Sequence, residues 1–265
     1  MYGFLRKKPY IFRNFAVVNH ETPMTISKQI EQTIERIPYG KAFTIADLGF
    51  PAETWEAVRL KLLRMVGQGK LNKAGKGRYF KAETSIFGDV PLSTEELVKD
   101  ILYNEGGEIQ GYLTGYSIWN AMGLTTQIPG VIEIGINGRK GNLKRGLMKV
   151  RFIPQSNPIT KENVHLLQIL DAIKFSKRIP DAMPGESLKR IKAFIANLSS
   201  GEQRELITLA EKYPPRVRAL IGAIMEEFGL SGEVTGLFKS LNPLTTYKFG
   251  VGKPCIANPE KWHIL

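Results

Sequence analysis

The chain has 265 residues, 43% of them hydrophobic and 23% charged, which marks a globular protein long enough for two domains of ordinary size. A formal net charge of +12 points toward nucleic acid or an anionic surface as a partner, and a single cysteine, Cys255, excludes an intrachain disulfide framework and a cysteine-rich zinc site. No apolar run approaches the ~18 residues of a membrane span, and the start lacks the apolar core of a signal peptide, so a soluble cytoplasmic protein without a membrane partner is expected.

Residues 1–23 mix Arg6, Lys7, Lys8 and Arg13 with aromatics and show no period. They read either as an upstream translation start or as a basic arm that runs along DNA. From Met24 the pattern becomes regular. Thr25 is placed to cap a helix with Ile26, Ile30, Ile34 and Ile37 at helical spacing, stopped by Pro38-Tyr39-Gly40. Phe43 to Leu48 reads as a brief helix with Thr44 as its N-cap, and Gly49-Phe50 as a turn. A second helix opens at Pro51 and runs to Gly67 or Gly69, with Glu53 and Glu56 at its positive end. At 100° per residue, Trp55, Val58, Leu62, Met65 and Val66 share one face. Glu53, Ala57, Leu60, Lys61 and Arg64 share the opposite one, which is free to meet a groove. Lys70 to Lys73 and Arg78 to Lys81 then form two strands joined by Ala74-Gly75-Lys76-Gly77, with Lys76 at the tip.

That order of helix, short helix, turn, helix and basic hairpin predicts a winged helix-turn-helix over 24–90. Between Arg59 and Lys81 stand eight basic residues (Arg59, Lys61, Arg64, Lys70, Lys73, Lys76, Arg78, Lys81) and no acid. Phosphate binding needs such a one-signed surface, because each neutralised phosphate releases counterions. The bland alternative is a helix and hairpin that carry lysines for solubility.

A non-periodic connection from Lys81 to Pro91 marks the domain boundary. Ser93-Thr94-Glu95-Glu96 is a capping box for a helix with Leu97, Ile101 and Leu102 on its buried side. A strand end at Gly111 to Thr114, a small helix from Tyr116 and a stop at Gly123 follow, and Val131 to Ile136 is strand-like. A second acid-free run holds Arg139, Lys140, Lys144, Arg145, Lys149 and Arg151, with Asn137-Gly138 and Gly141-Asn142 as hairpin turn chemistry. It is either a second nucleic-acid surface or an exposed hairpin. Beyond Pro158 the period is helical, with starts at Thr160, Ser187, Ser200 and Pro214-Pro215. An extended tail follows, with Trp262 as a packing anchor. The expected whole is α+β: the N-terminal domain, an α/β part over 91–158, and a helical part with its tail over 159–265.

Catalytic signals are weak. His20, His165 and His263 have no partner at metal-ligand spacing, and neither a nucleophile elbow nor a phosphate loop is present. Asp181 with Glu186 and Lys189 faintly suggests a metal nuclease, but in helix-rich sequence. No enzyme activity, metal or cofactor is expected.

The runs Pro38 to Leu48, Ala57-Val58-Arg59, Leu62 to Met65, Gly69 to Lys73 and Lys76 to Phe80 resemble the AbiEi-type regulators, antitoxins of abortive-infection, type IV toxin–antitoxin pairs. The block from Tyr112 to Gln127 is similar to the opening of that family's second domain, so the resemblance spans 26–154. It implies a winged-helix domain joined to an α/β domain, binding of two copies to an inverted-repeat operator, and repression of the protein's own operon. It also implies a functional partner, a nucleotidyltransferase-like toxin, countered without a stable complex. Carried over, Thr54, Ala57, Lys61 and Arg64 match the DNA-reading helix, and Lys73, Lys76 and Arg78 the wing. With Arg59 these make up the candidate DNA-binding set, and Arg139, Lys140, Lys144 and Arg145 a possible second surface. Two other readings stay open: a nucleic-acid-processing enzyme that docks through the winged helix, and a protein-interaction module.

Overall fold

The computed structural model describes residues 24–128, 130–181, 183–251 and 255–265; the basic extension 1–23, with His20, lies outside the described residues. Helix α1 (Ile26–Glu35) buries Ile30 and Ile34, one turn apart, while Ile26 stays exposed. Thr25 holds the N-cap position, but its side chain makes no capping bond; its carbonyl takes the amides of Lys28 and Gln29.

The brief helix expected over Phe43 to Leu48 is split into strand β1 (Phe43–Thr44) and a 3-10 turn at Ala46–Leu48. A sheet partner wins over local helix formation here, since Phe43 pairs with Tyr79 and Thr44 with Arg78. Thr44 still acts as a cap: its amide and hydroxyl donate to Asp47 Oδ2 at 2.7 and 2.9 Å, and Asp47 N returns a bond to Thr44 Oγ1. Gly49, at φ 70°, turns the chain, a conformation that only glycine adopts without strain. A 3-10 turn (Ala52–Thr54) leads into α2 (Trp55–Gly67), so the helix proper starts four residues after Pro51.

Strands β2 (Asn72–Gly75) and β3 (Arg78–Phe80) complete a sheet of order β1-β3-β2, with a bulge between Lys73 and Gly75. Val58, Leu62 and Met65 of α2 pack with Ile30, Ile34, Phe43, Leu71 and Tyr79 in a small core. The connection expected to be irregular contains a hairpin, β4 (Thr84–Ser85) and β5 (Gly88–Asp89), tied to β2 by Asn72 Nδ2 donating to Asp89 Oδ2 at 2.9 Å.

Helix α3 (Thr94–Leu102) is capped by Ser93, whose hydroxyl accepts from Glu96 N. The reciprocal half of the expected capping box is absent, because the Glu96 carboxylate accepts from Ala42 N and Lys99 Nζ instead. Strands β6 (Gly111–Thr114), β7 (Val131–Asn137), β8 (Leu143–Arg145) and β9 (Met148–Gln155) form a sheet of order β6-β7-β9-β8. The expected turn at Asn137-Gly138 is no hairpin. It begins a crossover that sets β7 parallel to β9, and the tight turn falls between Arg145 and Met148. One face of the sheet packs Ile132, Ile134, Ile136, Val150 and Phe152 against Val98, Ile101 and Leu102 of α3.

The other face meets α4 (Tyr116–Ala121) and the helical half: α5 (Val164–Lys174), α6 (Pro184–Ala196), α7 (Ser200–Ala210), α8 (Pro215–Glu227) and α9 (Thr235–Lys239). Two expected starts shift. Thr160 closes a turn with Asn163 ahead of α5, and α6 opens at Pro184 rather than Ser187. Ser199 makes a full capping box with Glu202 at the start of α7.

Asp171 of α5, buried, accepts from Tyr112 and Thr114 of β6 at 2.8 and 2.9 Å and from Tyr213 at 2.9 Å. Gln155 Nε2 donates to both tyrosine hydroxyls at 2.8 Å, and its Oε1 accepts from Asn157 N. In the tail, Tyr247 and Phe249 donate backbone bonds to His263 O and Leu265 O. Trp262 is fully buried against Gly222 of α8, where a Cβ would lie 2.1 Å from the indole, and its Nε1 donates to Glu226 at 2.8 Å. Trp262→Ala is expected to lower unfolding stability by about 3–5 kcal/mol in chemical denaturation, the usual cost of emptying a large buried aromatic site.

Candidate nucleic-acid interface

The amphipathic spacing of α2 buries one face and leaves Ala57, Leu60 and Arg64 exposed on the other. Trp55 departs from the expected packing face. It stands at the helix start, 42% exposed, with its indole N–H donating to Phe50 O at 2.9 Å.

The eight cations of the basic run divide into two groups. Arg78, assigned to the DNA-contacting wing, is buried and points away from solvent: it donates to Leu97 O at 2.9 Å, Glu96 O at 3.1 Å and Asp100 Oδ1 at 2.5 Å. This corrects that assignment, and the reason is strand alternation. Arg78 shares the α3-facing side with Phe80, whereas Tyr79 turns to the small core.

Lys61 is also drawn inward, bonded to Glu31 of α1 at 2.5 Å with its side chain only 20% exposed; that bond holds the Glu31 carboxyl below its ordinary pKa. Lys81 donates to Glu35 O at 2.9 Å and lies over the Tyr39 ring. Arg59 pairs with Glu56 one turn back on the exposed surface, an arrangement that solvent makes easy to exchange.

Thr54 is half-buried, and its hydroxyl donates to Pro51 O at 2.7 Å, closing the turn ahead of α2.

Arg64, Lys70, Lys73 and Lys76 form the second group: all are exposed, with no ion-pair partner among the described residues. They stand on the open face of α2, on the loop after it and on the β2–β3 hairpin. Lys70 belongs to the basic run but not to the candidate DNA-binding set, although its place just beyond the helix end is readable from the sequence. The hairpin β4–β5 was not anticipated; its tip, Ile86 and Phe87, is more than nine-tenths exposed.

The second basic run is absorbed by the fold only in part. Arg145 is half-buried and bonds Asp100 Oδ2 at 2.5 Å, Lys140 lies 5.3 Å from the Phe152 ring centre, and Arg151 joins Arg178 on the buried Glu133. Arg139, Lys140, Lys144 and Lys149 remain exposed. Asp100 thus holds Arg78 of β3 and Arg145 of β8 at once, joining the N-terminal unit to the four-stranded sheet.

Elsewhere, Asp181 accepts from Gln127 Nε2 at 2.7 Å, and Glu186 and Lys189 stand on α6 rather than on a strand. Among the described residues no group of three His, Cys, Asp or Glu side chains is placed to hold a metal ion, and no helix is long and apolar enough to cross a membrane.

Arg78→Ala is expected to reduce stability by about 1–3 kcal/mol, the cost of leaving hydrogen-bonding partners without their donor. Thermal or urea unfolding checks this; a variant as stable as the parent that loses only DNA affinity would return Arg78 to the interface.

No family model and no curated protein matches the chain. Among solved structures, the RV2827C protein from Mycobacterium tuberculosis is similar, with a TM-score of 0.55 and 12% identity over 89% of this chain and 88% of that one. At that identity the likeness concerns the fold alone, and the chain is a mixed α+β protein whose arrangement extends over nearly its whole length.

Proposed function

We propose that the N-terminal unit is a winged helix-turn-helix that binds double-stranded DNA, with α2 in the major groove and the β2–β3 hairpin as its wing. The observation that carries this reading is the set of uncommitted cations, Arg64, Lys70, Lys73 and Lys76, around the exposed face of α2. Exposed cations without an ion pair are available to an anion from outside, and nucleic acid supplies one at every phosphate. The order of elements, α1, β1, a 3-10 turn, α2 and a hairpin in a β1-β3-β2 sheet, supports the same reading.

Within it, Arg64 reads base edges, and Lys70, Lys73 and Lys76 hold the backbone. Lys61 and Arg78 brace the unit from inside. The resemblance to AbiEi-type regulators extends the proposal to a repressor that places two copies on an inverted repeat ahead of its own operon. The same resemblance makes it the antitoxin of a nucleotidyltransferase-like toxin, acting without a stable complex.

The deciding experiment is titration of the protein with its own upstream DNA and with scrambled duplex across a range of salt. Preferential binding with a steep salt slope is expected; equal, salt-insensitive or absent binding would overturn the reading. Arg64→Ala should cost about 1–3 kcal/mol on the operator and much less on scrambled duplex. Lys76→Ala should weaken both alike and reduce the salt slope by about 1, as loss of one phosphate contact does. Equal losses on both duplexes for Arg64→Ala would remove its base-reading role.

A further inference from the structure

A cavity of about 270 Å³ lies in the helical half, between α5, α6, α8 and the segment ending at Val251. Its walls are mainly apolar, from Ile173, Ile179, Leu188, Ile191, Leu220 and Val251. Two cations, Lys177 and Arg216, also line it, with Ser176 and Ser187; among the described residues no carboxylate does.

Arg216 is the unusual member. Its guanidinium lies 4.0 Å from the centre of the Phe249 ring, its Nη2 donates to Ser176 Oγ at 2.9 Å, and its Nη1 reaches Ile173 O at 3.4 Å. Its Nε is buried with no hydrogen-bond partner among the described residues. Burial lowers its pKa, and no neighbouring acid acts in the other direction. A guanidinium nevertheless stays charged in a protein.

Arg78, Lys61 and Lys192 each meet a carboxylate, on Asp100, Glu31 and Glu227, whereas Arg218 of the same helix shares the unpartnered Nε of Arg216 but does not line the cavity. Arg216 is held only by neutral groups and an aromatic face. An apolar cavity edged by cations without a counter-charge has the chemistry of a site for an anion with an apolar body.

We infer that this cavity binds a small monocarboxylate, its apolar tail among the isoleucine and leucine side chains and its carboxylate on Arg216 beside Lys177. The volume is just below the ~300 Å³ at which sites for drug-sized molecules begin, which favours a short alkyl or single-ring tail. The lining comes from α5, α6 and α8 together, so occupancy would link helices that otherwise meet through side-chain packing. The inference stands apart from the DNA-binding reading.

The test uses the full chain with methyl-labelled isoleucine and leucine, titrated separately with octanoate, octan-1-ol and octylamine. Octanoate is expected to shift the methyl signals of Ile173, Leu188, Ile191 and Leu220 and to bind at least tenfold more tightly than octan-1-ol, with octylamine weakest. In Arg216→Gln that preference should shrink to about twofold or less, and Lys177→Gln, on the exposed rim, should reduce it less. Octan-1-ol binding as tightly as octanoate would overturn the inference. So would octanoate shifts confined to other parts of the chain, or the absence of any shift. The comparison of ligands on the unaltered protein decides the matter even if Arg216→Gln fails to fold.

Discussion

Asp171 is the constraint around which the second half of the molecule is built. A carboxylate taken almost fully from water is costly, and burial accordingly raises its pKa, with hydrogen bonds from Tyr112, Thr114 and Tyr213 acting against that rise. Gln155 donates to both tyrosine hydroxyls, which leaves their protons for Asp171, the Tyr213 hydroxyl also lying 3.4 Å from Leu167 O. Gln155 is oriented in turn by Asn157, whose side chain is fixed on Leu209 O. The chain of bonds spans β6, β9, α5 and the end of α7. Apolar packing alone would hold sheet and helices together; this network specifies how they meet.

A smaller constraint of the same kind governs the N-terminal unit. Asp100 receives Arg78 and Arg145 from two different sheets, and the backbone carbonyls of Glu96 and Leu97 take the remaining reach of Arg78. The consequence for function is one of subtraction. Cations that look alike along the chain are sorted by their distant neighbours into those that brace the protein and those that stay unpaired among the described residues. A net charge of +12 says that anions are attracted, but the sorting decides where. One unpaired group stands on α2 and its hairpin; in the second basic run Asp100 and Glu133 take Arg145 and Arg151, while Arg139, Lys140, Lys144 and Lys149 stay exposed. The exposed Ile86 and Phe87 show that not every unpartnered surface is basic. The Arg216 cavity is the same logic turned inward, a cation that the fold surrounds without neutralising.

Much of the fold was legible. The spacing of Ile30 and Ile34, of Val58, Leu62 and Met65, and of the later helical stripes identified helices because burial of one face repeats with the helical period. The errors have local physical causes. Phe43 and Thr44 carry no signal of the strand to which they pair, because the partner, Tyr79, lies far along the chain. Asn137-Gly138 has hairpin chemistry, yet hairpin residues permit a turn without choosing which strand follows, and β7 takes β9 as a parallel neighbour.

The sequence by itself determined the mixed α+β character, most of the helices, the basic run and the exposed face of α2. These follow from local periodicity and from charge, both of which act over a few residues. Only the tertiary structure decided which cations are free, since Glu31, Asp100 and Glu133 reach Lys61, Arg78, Arg145 and Arg151 across distances that residue spacing does not encode. It likewise placed Asp171 among three hydroxyl donors and Arg216 among none but neutral partners, because the solvation of a charge depends on everything folded around it rather than on its neighbours in sequence.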